Sequence, residues 1–242
     1  HKIRIFRMNN FILIETTAEI CSAALATDNQ IVLNYISSDT MNHAKLLPIY
    51  LKEIIDYVHT NNISIDAVCI SEGPGSYTGL RIGCSTAKGL CYALKCKLLS
   101  ISTLKLIAWI TKEKYNITHG YICPCIDARR MEVYTSLYNN NLDEILPATA
   151  TILNDEFLIQ YSLKDIIYIC GNGAEKCNKL NLNNNYNIIT DIIPTADKML
   201  MLATEEYNKS HFEDIAYYEP FYLKEFQATT PSNKLFNLIN GK

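Results

Sequence analysis

The sequence predicts an α/β protein built from two similar lobes that face each other across a cleft. Three observations lead to this prediction. The order of predicted elements is βββαβαβα in each half, a repeated βββαβα unit with one more strand and helix. An acidic residue ends the first predicted strand of each half, Glu15 and Asp127. A Gly-x-Gly sequence follows the fourth strand of each half, at 73–75 and 171–173. A single irregular α/β domain is the alternative.

The first lobe is expected over residues 8–104, since residues 1–7 precede Met8 and read as an addition to the fold. Apolar spacing predicts a helix over about 43–61, which Pro48 should delay or bend unless it lies in the first turn. A second helix follows the glycine turn, and Ser102 is the expected cap of a third. Short apolar runs predict strands at 11–15, 21–26, 31–36, 66–71 and 98–101.

The second lobe is expected over residues 105–226, with a tail at 227–242. Helices are predicted near 153–162 and 196–208, and the last of these is a candidate for packing back towards the first lobe. Strands are predicted at 121–127, 131–138, 145–150, 166–171 and 187–190.

Composition limits the kinds of function that the chain can perform alone. The formal net charge is −3, without a block of like charge, whereas a protein that binds RNA by itself usually has a basic face. Any contact with RNA is therefore expected to be shared with a partner. The nine cysteines match no zinc spacing and suggest reduced, buried thiols in a cytoplasmic protein. No apolar stretch is long enough to span a membrane, so we expect a soluble protein.

The stretch "EGPGSYTGLRIG", residues 72–83, fails three tests for a known chemical loop. No Gly-Lys follows at the spacing of a phosphate-binding P-loop. The three glycines Gly73, Gly75 and Gly79 are one residue too widely spaced for a dinucleotide fingerprint. Ser76 directly follows Gly75, which does not fit the Gly-x-Ser-x-Gly of a nucleophile elbow.

The same stretch starts a helix with an unusually smooth face. Gly79, Gly83 and Ala87 recur every four residues, and Gly89 with Ala93 makes a second smooth patch. Glycine inside a helix costs about 0.5–1 kcal/mol relative to alanine, so these glycines imply that another backbone comes unusually close. That backbone belongs either to this chain or to a partner, and the sequence leaves both open.

Five motifs resemble, in order, those of the bacterial TsaB (YeaZ) family. They are "ILIETTAEICSAAL", "HAKLLP", "ISEGPGSYTGLRIGCSTAKGL", "IDARRMEVY" and "YEPFYLKEF". The resemblance covers about residues 11 to 226, and the glycine block is highly specific. It implies the actin-like ATPase fold that sugar kinases also have. It further implies a part in making N6-threonylcarbamoyladenosine at position 37 of tRNAs that read ANN codons.

In that machinery the resemblance implies a non-catalytic scaffold that pairs with a homologous catalytic subunit, TsaD, and with the ATPase TsaE. Contact with tRNA would come through the complex, and the chain alone would form a homodimer. Arg81 and Lys88 flank the smooth helix face and could meet carboxylates or phosphate. The expected partner interface comprises Gly79, Arg81, Gly83, Ala87, Lys88, Leu90, Ala93, His43 and Leu47.

The resemblance also implies where a nucleotide would bind, because actin-like ATPases hold phosphates at glycine-containing hairpins after the first strand of each lobe. The matching turns, 15–18 and 127–130, contain no glycine, and Glu15 replaces the family's usual Asp. We therefore expect no catalytic residue and no cofactor on this chain alone, with ATP or ADP at the complex interface left open. The residues of the vestigial nucleotide site would be Glu15, Thr16, Thr17, Asp127, Arg129, Gly171 and Gly173.

Two enzymatic alternatives remain at this point. One is an active ATPase or sugar-kinase-like phosphotransferase, and the other is a glycoprotease-like metallopeptidase. Catalytic relatives carry His-x-x-x-His on their first helix, which places two imidazoles on one face for a metal. Here Leu47 follows His43 at that spacing, so no metal site is expected.

Overall fold

The computed structural model describes residues 9–37 and 42–224. The predicted start of the first lobe at Met8 and the predicted tail at 227–242 lie outside the described residues.

The first lobe contains a mixed five-stranded sheet in the order β3-β2-β1-β4-β5. Strand β1 runs antiparallel to β2 and parallel to β4, and β5 continues the parallel side. The strands are β1 Phe11–Glu15, β2 Ser22–Thr27, β3 Gln30–Ile36, β4 Ala67–Gly73 and β5 Lys97–Ser102.

The second lobe repeats this arrangement, in the order β8-β7-β6-β9-β10. Strand β6 runs antiparallel to β7 and parallel to β9, as β1 does to β2 and β4. The predicted α/β class with a duplicated mixed sheet is confirmed. The strands are β6 Tyr121–Asp127, β7 Glu132–Asn139, β8 Glu144–Ile152, β9 Ile167–Cys170 and β10 Tyr186–Ile189.

Five α-helices accompany the sheets, and none of those in the described ranges has the length and hydrophobicity needed to cross a bilayer. The predicted cap of α3 is confirmed, since the Ser102 hydroxyl accepts a hydrogen bond from the Lys105 amide at 3.3 Å. Short 3-10 helices lie at Ala174–Lys179 and Ala196–Met199. The helices are α1 His43–Thr60, α2 Tyr77–Leu94, α3 Thr103–Tyr115, α4 Ile159–Ser162 and α5 Leu200–Asn208.

The helix predicted over 43–61 is confirmed as α1, but Pro48 does not delay its start, since α1 begins at His43 and Pro48, which cannot donate a backbone hydrogen bond, lies inside it. Pro48 is exposed, so water can replace the missing donor. The helix predicted over 153–162 is only α4, four residues long, because Leu158 takes a left-handed conformation and interrupts it.

The two sheets share a core through α3. Helices α1 and α2 cover one face of the first sheet with residues such as Leu47, Ile54 and Cys91. On the other face, Phe11 of β1 and Ile122 of β6 belong to one cluster that includes five buried apolar residues of α3. All nine cysteines are buried, as predicted, and none is joined to another by a disulfide in the structure.

The end of the described chain returns to the first lobe. Helix α5 packs on β5, and the amide of Ala196 donates to the Ser22 hydroxyl of β2 at 2.9 Å. Residues 213–224, called the C-terminal strap below, then follow the first lobe. Their backbone bonds to Leu98 and Glu72 at 2.9 and 2.8 Å.

Candidate functional site

The turn after β1 lies directly under the N-terminal half of α2. A Cβ atom on Gly79 would stand 1.9 Å from the carbonyl oxygen of Thr16, and one on Gly83 would stand 2.4 Å from the Thr16 hydroxyl. A Cβ on Gly75 would meet the Thr17 backbone oxygen at 2.7 Å. The Thr16 hydroxyl donates to the Gly79 carbonyl at 2.8 Å. These glycines are therefore required for close approach within the chain.

This packing corrects part of the expected partner interface. Gly79, Gly83 and Ala87 are buried, so the smooth face accepts the chain's own turn and is closed to a partner in this conformation. Leu47 is fully buried in the core because it faces the sheet from α1. His43 is also buried, with its Nε2 3.0 Å from the Ala18 carbonyl oxygen.

Lys88 is likewise occupied within the chain. Its ammonium donates to the carbonyls of Ala216 and Tyr218, at 3.2 and 3.0 Å. It therefore fastens the C-terminal strap to α2, in a position where the sequence suggested a partner's carboxylate or a phosphate.

The C-terminal half of α2 remains open. A Cβ on Gly89 would have no neighbour within 4 Å, Ala93 is exposed, and Leu90 is half-buried. Tyr92 is 83% exposed, and Ile49 of α1 is 48% exposed. Three residues of the expected interface therefore stay accessible. They are Leu90 and Ala93, close to Gly89, and Arg81 near the start of the helix.

The first half of the expected nucleotide site is closed by its own hydrogen bonds. One oxygen of Glu15 accepts from the amide and the hydroxyl of Thr17, at 2.5 and 2.6 Å, and the other accepts from the Ser71 hydroxyl. Burial raises the pKa of Glu15, an effect that these hydrogen bonds oppose. Thr16 and Thr17 are buried as well, so this turn offers neither its carboxylate nor its hydroxyls to a ligand.

The second half of that site is exposed and charged. Asp127 accepts from the Lys176 ammonium at 2.7 Å and from the Arg129 amide at 2.6 Å. Its own amide donates to the side-chain oxygen of Asn172 at 3.0 Å. Arg129 and the next residue, Arg130, both have positive φ, at 72° and 48°.

The glycines of the second turn also serve internal packing. Gly171 has φ of 93°, and a Cβ there would lie 2.7 Å from the Cys125 carbonyl oxygen. A Cβ on Gly173 would lie 2.9 Å from the Ile126 carbonyl carbon. The structure thus groups Gly171 and Gly173 with Asp127 and Arg129, while Glu15, Thr16 and Thr17 form a separate group in the first lobe. Within the described ranges, no hydrogen bond or ion pair joins the two groups.

A polar cavity that the sequence did not reveal opens between the ends of β4 and β5 and helix α5. It measures about 380 Å³. Burial raises the pKa of Glu72, and the nearby charges of Glu213 and Glu206 add to this. The Ser100 hydroxyl lies 2.6 Å from Glu213 and 3.1 Å from Glu72. Glu72 is distant in the chain from Glu206 and Glu213, so no local pattern in the sequence indicates that the three carboxylates meet. The lining includes Glu72, Ser100, Ser102, Lys105, Glu206, His211 and Glu213.

Histidine, cysteine and acidic residues do not form a metal centre in the part of the chain that the structure describes, since no three of them are grouped to hold an ion.

Comparison with known proteins identifies the family. A family model described as "TsaD: tRNA N6-adenosine threonylcarbamoyltransferase" matches residues 30–231. The tRNA threonylcarbamoyladenosine biosynthesis protein TsaB of Escherichia coli K12 is 27% identical over 218 residues, 87% of this chain and 93% of that protein. This chain belongs to the TsaB (YeaZ) family. TsaB of Bacillus subtilis is 30% identical over 147 residues, 59% of this chain and 62% of that protein.

The solved structures agree with the fold. YeaZ from Pseudomonas aeruginosa superposes with a TM-score of 0.74 at 24% sequence identity, covering 89% of this chain and 100% of that chain. The actin-like α/β fold expected from the motif resemblance is confirmed. Within this TsaB family member, the specific "GPGSYTGLRIG" block forms the glycine turn and the first turns of α2 that pack on Thr16 and Thr17.

Proposed function

We propose that this chain is a non-catalytic subunit of the machinery that makes N6-threonylcarbamoyladenosine in tRNA. It would pair with a TsaD-like threonylcarbamoyltransferase and support its activity, joined by a TsaE-like ATPase. The names of the curated relatives support the pathway. The match to the TsaD family model supports a homologous partner, because homologous subunits can pair through equivalent surfaces.

The closed turn after β1 supports the non-catalytic role. Nucleotide chemistry in this fold needs backbone amides that approach phosphates closely. Here the Thr17 amide and hydroxyl are bound to Glu15, and the Thr16 hydroxyl is bound to Gly79. Opening this turn for a phosphate would break these buried hydrogen bonds and expose a carboxylate to the phosphate's negative charge.

The open half of α2 carries the proposed pairing surface. Gly79 and Gly83 are explained by Thr16, but Gly89 has no neighbour within 4 Å. Glycine lowers the stability of a helix, so its presence at an open position needs a reason. Close approach by the backbone of a partner would supply that reason. Leu90 and Ala93, on the same half of α2, would supply apolar contact beside it. In the absence of the transferase, the same surface would pair two copies of this chain.

The substitution Gly89→Leu tests the pairing. In the isolated chain the new side chain would extend into open space and leave the fold intact, whereas at a close interface it would clash. We expect at least a tenfold weaker affinity for the TsaD-like subunit, measured by calorimetry, and less homodimer by sedimentation. Glu113→Leu, at an exposed position of α3, is the matched control. A folded Gly89→Leu protein that pairs with unchanged affinity would refute the proposed surface.

We also propose that any ATP or ADP acts at the complex interface and that this chain alone binds none. Calorimetric titration of ATP and ADP into the isolated chain, and then into the assembled pair, separates the two cases. Stoichiometric binding to the isolated chain, with hydrolysis that an Arg129→Ala/Arg130→Ala variant reduces, would instead favour the ATPase alternative.

A further inference from the structure

The described residues contain three arginines, Arg81 in the first lobe and Arg129 and Arg130 in the second, and all three are exposed. The Arg81 guanidinium stands over the Tyr77 ring, 4.4 Å from its centre, and the Tyr222 ring centre is 5.0 Å from that of Tyr77. These three residues and six others that extend from them into the second lobe are called the arginine strip below. Its members are Tyr77, Arg81, Tyr222, Lys224, Glu132, Asp127, Lys176, Arg129 and Arg130.

The C-terminal strap connects the two ends of the strip. Two residues after Tyr222, the Lys224 ammonium forms an ion pair with Glu132 at 2.5 Å. The Glu132 amide donates to the Arg129 carbonyl at 3.1 Å, which closes the hairpin turn between β6 and β7. These contacts, together with the short stretch of strap backbone from Tyr222 to Lys224, link α2 to that hairpin.

The charge of the strip is positive although the chain as a whole carries −3. Its two carboxylates are already paired, Asp127 with Lys176 and Glu132 with Lys224. Arg129 and Arg130 are exposed, and neither guanidinium has an ion pair or side-chain hydrogen bond with any residue in the described ranges. The strip thus presents two unpaired guanidinium groups beside neutralised neighbours.

The backbone that carries these two arginines is costly. Two consecutive non-glycine residues with positive φ, 72° and 48°, are unusual, and each such residue costs on the order of 1 kcal/mol. Asparagine or glycine would occupy the turn at lower cost. A requirement for the guanidinium groups themselves would account for arginine at both positions.

We propose that the arginine strip contacts the sugar-phosphate backbone of the RNA substrate while the chain is paired with the transferase. This inference rests on the proposed function. Guanidinium groups bind phosphate oxygens through paired hydrogen bonds, and a guanidinium next to tyrosine rings is typical of surfaces that hold single-stranded nucleotides. The open half of α2, with Gly89 and Ala93, lies two to three turns beyond Arg81 on the same helix, so a protein partner there leaves the strip accessible. The negative net charge explains why the contact would add to binding by the complex and would be weak for the chain alone.

Binding of an unmodified tRNA transcript to the assembled pair, measured over a range of KCl concentrations, tests this proposal. The variant Arg129→Asn/Arg130→Asn removes both charges, and asparagine tolerates a left-handed backbone. We expect the Kd to rise about tenfold near 0.1 M salt and the slope of log K against log salt to fall by about 2. Arg129→Lys/Arg130→Lys should lie between this variant and the unmodified chain. Lys164→Asn/Lys179→Asn, which removes two exposed charges elsewhere in the second lobe, should change neither quantity.

The outcomes separate this inference from the function on which it rests. If the Arg129→Asn/Arg130→Asn chain pairs normally and the pair binds tRNA with unchanged Kd and slope, the proposed contact between the arginine strip and RNA is wrong. The proposed function then still stands. A variant that no longer pairs with the transferase also overturns the proposed contact with RNA, because the arginines then contact an acidic protein surface. If the unmodified chain does not pair with the transferase, the proposed function itself fails, and the inference fails with it.

Discussion

The turns that follow the first strand of each lobe differ although the strands around them are arranged alike. In the first lobe, Glu15 is fully buried and bound by Thr17 and Ser71 beneath α2. In the second lobe, the side chain of the equivalent Asp127 is 46% exposed and paired with Lys176. The same position in a repeated topology therefore serves packing in one lobe and surface charge in the other.

The outer faces of the two sheets also differ, because a helix covers far more of the first sheet than of the second. The 18-residue α1 covers the first sheet, whereas the equivalent α4 has four residues. A cavity of about 230 Å³ consequently remains against β7 and β8, beside Phe157 and Leu158. Ile152 and Leu163 of the second lobe are 72% and 74% exposed. The two lobes share a strand order, while the cover of each sheet and the chemistry of each turn differ.

Of the substitutions that compare the two turns, Gly79→Ala should lower the free energy of unfolding the most. Its Cβ would stand 1.9 Å from the Thr16 backbone oxygen, which cannot move without breaking the turn after β1. We expect a loss of about 3 kcal/mol in the free energy of unfolding, from urea titration. In the second lobe, Gly173→Ala meets its nearest atom at 2.9 Å and should cost about 1–2 kcal/mol. An equal or larger cost for Gly173→Ala would mean that the first-lobe turn is not the tighter one.

Removal of the two acidic side chains should give the next largest difference. Glu15→Ala leaves the Thr17 amide and the Ser71 hydroxyl buried without an acceptor, so we expect a loss of about 2 kcal/mol in stability. Asp127→Ala removes an exposed ion pair and should cost at most about 1 kcal/mol. Both free energies come from urea unfolding at one pH. Similar losses for the two variants would contradict the assignment of packing to one lobe and surface charge to the other.

The pH dependence of stability should report the burial of Glu15 in the first-lobe turn. Burial raises the pKa of Glu15 in the folded chain above its ordinary value of 4.5, so the folded state keeps a proton that the unfolded state has released. Its contribution is fully present below pH 4.5 and is lost as the pH rises from there through the folded-state pKa. The stability of the unmodified chain should therefore fall relative to Glu15→Gln over this window. Parallel curves for Glu15→Gln and the unmodified chain would refute the effect.

Local patterns predicted the fold well because they depend on neighbours in sequence. Apolar runs located the ten strands to within about two residues, and the Ser102 cap followed from a hydroxyl ahead of an apolar helix. The apolar pattern also placed α1, although the delay expected from Pro48 did not occur, and it failed at 153–162, where the left-handed Leu158 leaves a helix of four residues.

The site was less predictable, because helical spacing defines a face and not what covers it. The spacing of Gly79, Gly83 and Ala87 correctly indicated close approach, but only the structure shows that Thr16 is the neighbour. Lys88 bonds to carbonyls about 130 residues away, and no local pattern reports such a contact. The motif resemblance supplied what periodicity could not, since it identified the family and marked the turn at Glu15.

The smallest expected effect distinguishes two glycines of one helix. Gly89→Ala adds a methyl group where nothing lies within 4 Å, so it should gain the helix preference of alanine, about 0.5–1 kcal/mol, in urea unfolding of the isolated chain. Gly83→Ala adds the same group 2.4 Å from the Thr16 hydroxyl and should lose stability. Opposite signs for one substitution on one helix would show that Gly83 belongs to the fold and that Gly89 is kept at a cost to the isolated chain. A loss at Gly89 would mean that its surface is already covered, and the proposed pairing face would then have to lie elsewhere.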